Sequence, residues 1–219
     1  MAELNVETIE SMPFAQNTYI ASLPGRQDCV VFDPGIDWNR IIAFLKQEKL
    51  TPAAILITHG HCDHIAGTPA LKQVWPDCPV VIGRGDAPMM TDPRLNLSAK
   101  FGLPYACEAA DVLLDDGEAY SAAGLDFETR EIPGHSGGHV VFVVQGVTPP
   151  VVFGGDVLFN GSIGRTDFPG GSFETLARGI REKLYGLPDE TIVYPGHGPA
   201  TTVGHEKRTN HFVKSESAR

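Results

Sequence analysis

Three imidazoles and a carboxylate fall inside six residues of Thr58-His59-Gly60-His61-Cys62-Asp63-His64, directly after the apolar run Ala53-Ala54-Ile55-Leu56-Ile57. Polar groups gathered at the end of a buried strand cost free energy unless something satisfies them. The choices are a metal, a hydrogen-bond network or plain solvent exposure, and four donors packed so closely favour metal. In extended chain, residues i and i+2 point the same way, so His59 and His61 address one point. Asp63 and His64 are adjacent and reach the same region only if the backbone turns there. The simplest use of the pattern is two ions, one taken by His59 and His61, the next by Asp63 and His64. Imidazole with carboxylate suits zinc, and also iron or manganese.

One loop cannot complete two coordination shells, and further donors follow other apparent strands. His135 ends Ile132-Pro133-Gly134-His135, Asp156 ends Phe153-Gly154-Gly155-Asp156, and His197 ends Tyr194-Pro195-Gly196-His197. Each has a glycine immediately before it, which lets the backbone bend tightly around a site.

The elements that must position these donors are read from apolar runs. Strands are expected over 18–21, 29–32, 54–58, 80–82, 125–131, 139–144, 151–153 and 191–194, most of them β-branched and bounded by Gly, Pro or Asp. Helical spacing follows Asp37 as N-cap (Trp38, Ile41, Ile42, Leu45) and Ser172 (Phe173, Leu176, Ala177, Ile180, Leu184). Several strands follow one another without a helix between, which predicts mixed sheets with covering helices, not a strictly alternating doubly wound fold. The stretch 83–110, rich in Gly, Pro and Met, reads as irregular: a lid or substrate wall, or a surface excursion.

The bulk properties narrow the partners. A chain of 219 residues, 42% apolar, is expected to form one domain over 1–219. A net charge of −10 argues against nucleic acid and anionic membranes. No stretch approaches the roughly 18 apolar residues of a membrane span. The N-terminus lacks a signal-peptide pattern, and Cys29, Cys62, Cys78 and Cys107 are scattered as free thiols would be. A cytoplasmic location is the expectation.

The ordered set Thr58-His59-Gly60-His61-Cys62-Asp63-His64, His135, Asp156 and His197, preceded by Val31-Phe32-Asp33-Pro34-Gly35, resembles the metallo-β-lactamase superfamily. The resemblance implies an αββα sandwich, an α/β fold with two mixed sheets flanked by helices and the site along one edge. It implies that His59, His61 and His135 hold one metal, that Asp63, His64 and His197 hold the second, and that Asp156 bridges them. Asp33 would support a ligating histidine from behind, or make an Asx-turn before Pro34-Gly35.

The run from Gly154 to Gly171, with Gly164-Arg165-Thr166-Asp167-Phe168-Pro169-Gly170-Gly171, resembles glyoxalase II-like hydrolases of the short bacterial type, as does the tail Thr201–Asn210. His211 stands where that group has proline. Full-length glyoxalase II carries a further helical domain whose basic residues grip glutathione. Here about 22 residues follow His197, and Lys207, Arg208 and Lys214 read as solvated helix-face charges. The implied activity is hydrolysis of a small-molecule thioester or ester. Two cations about 3.5–4 Å apart share a hydroxide whose parent water has its pKa lowered to roughly 7. A thiolate leaves readily because its acid has a pKa of about 8.5. Asp63 would orient or accept a proton.

Other readings share parts of the pattern. Persulfide dioxygenases have this fold and a similar Gly-Arg-Thr-Asp-Phe segment, with one iron. Lactonase or β-lactamase activity is a different substrate on the same chemistry. Gly134-His135-Ser136-Gly137-Gly138 matches a nucleophile elbow formally, yet a strand follows where a helix is required. A closed structural zinc site would be cysteine-rich, and Cys62 reads as filler. His139 is expected to hydrogen-bond near the site, Asn17 to touch its edge or make a turn, Arg165 and Asp167 to brace each other, and His205 and His211 to lie on a terminal helix.

Overall fold

The computed structural model describes residues 3–214. One six-stranded sheet runs in chain order through β1 (Asn5–Ser11), β2 (Gln16–Ser22), β3 (Asp28–Phe32), β4 (Thr51–Ile57), β5 (Val80–Gly83) and β6 (Val112–Leu114). Its first two pairings are antiparallel and the rest parallel. The second sheet is built from β7 (Ala119–Ala122), β8 (Leu125–Glu131), β9 (Val140–Gln145) and β10 (Val151–Gly155). It is completed, beyond a small hairpin of β11 (Leu158–Phe159) and β12 (Ser162–Ile163), by β13 (Ile192–Pro195) and β14 (Thr201–Thr202). Its order is β14-β13-β10-β9-β8-β7, with β10 and β13 parallel. Both sheets are therefore mixed, as the sequence predicts.

The four layers follow from residue alternation. In β4, Ala54 and Leu56 enter the core between the sheets, while Ile55 and Ile57 face the helices outside. In β9, Val140, Phe142 and Val144 point inward and Val141 and Val143 outward. Strands buried on both faces read as continuous apolar runs. Phe32 and Phe153 stack with centroids 3.8 Å apart and join the sheets at the centre. Outside the first sheet lie α1 (Trp38–Gln47), α2 (Cys62–Ile65), α3 (Thr68–Val74) and α4 (Ala87–Thr91). Outside the second lie α5 (Phe173–Gly179), continued by a π turn over Ile180–Leu184, and α6 (Val203–Thr209).

Ser172 caps α5, its hydroxyl accepting from the Thr175 amide at 3.3 Å. Asp37 precedes α1 but its side chain makes no cap bond and pairs with Arg40 at 3.4 Å instead. Among the described residues, no helix is long and apolar enough to cross a membrane.

Candidate metal centre

The donor-bearing loops all leave the same edge of the sandwich. β4 delivers His59 and His61, and the chain then turns into α2, which swings Asp63 and His64 back toward them. β8, β10 and β13 deliver His135, Asp156 and His197. Ties between sheets hold this edge together: the Val140 amide donates to the Thr58 carbonyl at 2.8 Å and the Asn17 amide to the Gly196 carbonyl at 2.7 Å. Gly196 is obligatory in this arrangement, because a Cβ there would fall into the Asp156 carboxylate and the His64 ring.

All seven predicted donors converge. Donor atoms of His59, His61 and His135 lie within 4.8 Å of one another, as do those of His59, His64 and Asp156, and those of Asp63, His64 and His197. Asp156 sits centrally, Oδ1 being 3.4 Å from His64 Nε2, and Oδ2 3.4 Å from His135 Nε2 and 3.5 Å from His197 Nε2. Asp63 Oδ2 is 3.3 Å from His197 Nε2.

Hydrogen bonds fix which ring nitrogen is free. His135 Nδ1 faces the Arg165 carbonyl at 2.8 Å and His197 Nδ1 faces the Phe14 carbonyl at 3.0 Å. A carbonyl only accepts, so both Nδ1 atoms carry hydrogen and both Nε2 atoms offer lone pairs. His64 Nδ1 meets Asp33 Oδ2 at 3.0 Å. The Thr58 hydroxyl donates to that same oxygen at 2.7 Å and so accepts from His59 Nδ1 at 3.2 Å. His61 differs: its Nδ1 points at His135 Nε2, 2.9 Å away.

The freed atoms are poorly satisfied. His59 Nε2 is buried without a hydrogen-bond partner, and the equally buried His64 Nε2 and Asp156 Oδ1 have only each other, at 3.4 Å. Such orphans are costly, and orphaned lone pairs aimed at shared points fit divalent cations. The electrostatics agree. Burial and neighbouring imidazoles push His59 well below its ordinary range, and burial with His135 pushes His61 down to about 3. Burial opposes charge on Asp156 and Asp63 too, but the histidines, His64 foremost, hold both carboxylates below their ordinary range. His64 itself is raised well above the usual value: burial works against its charge, and Asp63 and Asp156 outweigh it. His197 is raised as well, against burial, by Asp63 and Asp156.

In the metal-free protein a proton on His64 thus takes the place of cationic charge among the carboxylates. A ligating imidazole must give that proton up. Metal uptake near neutral pH should therefore release at least one proton, and affinity at the Asp63–His64–His197 cluster should rise with pH as His64 and His197 deprotonate. Titration calorimetry in buffers of unequal ionisation enthalpy counts the protons; a count of zero would contradict this reading.

Two supports were hidden from sequence reasoning. Asp86, in the predicted irregular stretch, is buried and accepts from the Gly60 amide at 3.3 Å, the Ser136 hydroxyl at 2.6 Å and the Gly138 amide at 2.7 Å. It thereby clamps the His59–His61 loop to the His135 loop. The same stretch is stapled to α2, since the Cys62 amide donates to the Asn96 carbonyl at 2.9 Å and the Tyr105 hydroxyl donates to the Cys62 carbonyl.

The remaining expectations resolve individually. His139 Nε2 accepts from the Asp156 amide at 3.0 Å, so it holds the backbone of that residue. Asn17 donates to the carbonyls of Pro195 and Gly198, bracing the His197 loop at the site's edge. Arg165 and Asp167 form a bidentate pair at 2.7 Å. Ser136 spends its hydroxyl on Asp86, and β9 follows it, so no nucleophile elbow exists. All four cysteines are buried and unpaired, burial holding the Cys62 thiol up at about 12. His205 is exposed on α6, but His211 lies beyond that helix, which ends at Thr209. Lys207 pairs with Asp189 at 2.7 Å and is not directed to the site.

The sequence profile of the metallo-beta-lactamase superfamily matches residues 12–197. A hydroxyacylglutathione hydrolase, GloC, of Haemophilus influenzae is 37% identical over 98% of this chain and 100% of its own length. Among solved structures, the BLEG-1 B3 metallo-beta-lactamase is 38% identical, with a TM-score of 0.90 over 95% of this chain and 99% of that one. TTHA1623, solved in a di-iron-bound form, is 35% identical, with a TM-score of 0.82 over 95% of this chain and 100% of that one.

Proposed function

The chain belongs to the metallo-beta-lactamase superfamily, and from that premise we propose that this metal-dependent hydrolase carries two metal ions and cleaves a small-molecule thioester. The observation that carries the reading is the convergence of seven donors into overlapping clusters around Asp156. His59, His61 and His135 would hold one ion, Asp63, His64 and His197 the other, and Asp156 would serve both. Zinc is the expected metal, and the di-iron form of TTHA1623 makes iron the alternative. Bound there, such ions lower the pKa of water to about 7 and polarise a carbonyl.

The chain's own residues supply the rest. Asp33, Thr58, Arg165 and Phe14 hold the imidazoles in the tautomers that expose lone pairs. Asp63 is half-buried where His64 is fully buried, and of the two carboxylates in the cluster it is the more open, so it is the one that would take the proton of attacking water. Water adds to the acyl carbon, the carbon–sulfur bond breaks, and acid and thiol leave. GloC, whose name specifies a glutathione thioester, supports this substrate class. The likeness to BLEG-1 makes a β-lactam the second substrate to test.

The test is metal analysis with a substrate panel. Close to two ions per chain and turnover of acyl-thioesters, abolished by chelation and restored by added zinc, are expected. One iron per chain with oxygen consumption on persulfides, or turnover of β-lactams alone, would replace the proposal.

A further inference from the structure

Three loops meet over the metal cleft, and none of their tip residues holds a metal. Phe14, from the β1–β2 turn, packs its ring edge-on to Phe101 at 5.3 Å. Phe168, from the loop after β12, lies edge-on to the His61 ring at 5.5 Å. Between them runs the 96–105 loop, whose Phe101 touches the first wall and whose Lys100 ammonium stands 4.9 Å over the Phe168 ring of the second. This loop is no free excursion. The Asn96 carbonyl and the Tyr105 hydroxyl fasten its two ends to Cys62, the residue that opens the ligand-bearing turn α2. Asn96 accepts in addition from the Ser98 amide and donates to the Tyr105 carbonyl, closing the loop on itself. Its tip is therefore set in place by the same backbone that sets Asp63 and His64.

The charges at this mouth are unequal. The Arg165 guanidinium also lies over Phe168, 4.0 Å from the centroid, but its charge is answered by Asp167. Lys100 is exposed and forms no close ion pair among the described residues, but its charge reaches the Asp167 carboxylate, which is already paired with Arg165. Two cations on the Phe168 ring, Lys100 and Arg165, share the one carboxylate of Asp167, and the positive excess this leaves above an apolar wall, on a chain of net charge −10, is a local attractor for anions. The two ring spacings put the Lys100 ammonium at most about 10 Å from the His61 ring, a span of about three extended peptide units.

We infer that Lys100 is the specificity residue of this site and selects thioesters whose carrier thiol bears an anionic group within reach of that ammonium, about three extended peptide units from the metal-ligand end of the cleft, with Phe14, Phe101 and Phe168 walling the stem between. The inference rests on the thioester reading and goes beyond it in naming the carrier's charge. A peptide carboxylate and a phosphate share this chemistry, and separate arms of the test tell them apart.

The experiment compares kcat/KM for one acyl group on three carriers: glutathione, coenzyme A and neutral N-acetylcysteamine, with the metal-loaded wild type, Lys100→Gln and Lys100→Glu. The ratio of an anionic to the neutral carrier should fall about tenfold in Lys100→Gln, through KM, and further in Lys100→Glu. The wild-type ratio should also shrink as salt is raised. Loss confined to the glutathione arm assigns the carboxylate, and loss confined to the coenzyme A arm the phosphate. Ratios that stay put in both variants, while the wild type hydrolyses thioesters, overturn the role of Lys100 and leave the thioester reading standing. Absence of thioester turnover in the wild type overturns both.

Discussion

Asp156→Ala should lower thioester turnover by on the order of 10³-fold or more while leaving the fold in place. The magnitude follows from what the residue touches. Its two oxygens lie 3.4–3.5 Å from ring nitrogens of His64, His135 and His197, which belong to both donor clusters. Its loss therefore loosens both metals at once, and Lewis-acid stabilisation is worth several kcal/mol of barrier, tenfold for each 1.36. The fold should survive because the tie from residue 156 to His139 is made by the backbone amide, which alanine keeps. None of the three hydrophobic clusters includes Asp156 either. The measurement pairs kinetics with thermal unfolding, with and without metal. The metal-free variant should still unfold cooperatively, at a midpoint lowered by the loss of the carboxylate that faces His64, whereas added zinc should raise the wild-type midpoint much more than the variant's. An Asp156→Ala protein that binds two ions and turns over normally would refute the central role given to this carboxylate.

The same geometry shows why the donors were legible in the sequence and their supports were not. His59, His135, Asp156 and His197 follow strands buried on one or both faces, and such strands announce themselves as dense apolar runs such as Ile55-Leu56-Ile57 and Val140-Val141-Phe142-Val143-Val144. The edge strand β1 does not, since its Asn5–Ser11 residues are mostly exposed or half-exposed and polar. β6 and β14 are very short, and β7 is an edge strand whose four residues are all exposed or half-exposed. Asp86 sits in Arg84-Gly85-Asp86, which has the composition of an ordinary turn. Its partners are 26, 50 and 52 residues away, at Gly60, Ser136 and Gly138, so no local periodicity marks it. Asn96 and Tyr105 act through backbone carbonyls and amides of Cys62, and a backbone partner leaves no trace in residue type. The stretch 83–110 is indeed irregular, but irregular chain anchored at Asp86, Asn96 and Tyr105 is a fixed wall of the cleft.

Asp33 is where the smallest chemical change should have the largest reach. Its backbone is in the left-handed region, φ +47°, and its carboxylate is buried. Oδ1 accepts from the Thr58 amide at 2.7 Å, while Oδ2 accepts from both the Thr58 hydroxyl and His64 Nδ1. Asp33→Asn keeps the shape but replaces one oxygen by an NH₂ donor. The Thr58 amide demands the remaining oxygen, so the NH₂ must face the Thr58 hydroxyl and His64 Nδ1. His64 Nδ1 must then accept, which moves its hydrogen to Nε2, the atom facing Asp156. The Thr58 hydroxyl, no longer able to donate to residue 33, turns its hydrogen toward His59 Nδ1 and forces the same exchange there. One atom thus blocks a lone pair in each cluster, and metal affinity should fall by about 10–100-fold per site. Asp33→Ala works differently. It lets both rings choose their tautomer but strands the Thr58 amide, at about 1–3 kcal/mol of stability, and places alanine in the left-handed region. Asparagine should therefore lose more metal and alanine more stability, as read by zinc titration and denaturant unfolding. Wild-type zinc affinity in Asp33→Asn would show that the tautomers are set elsewhere.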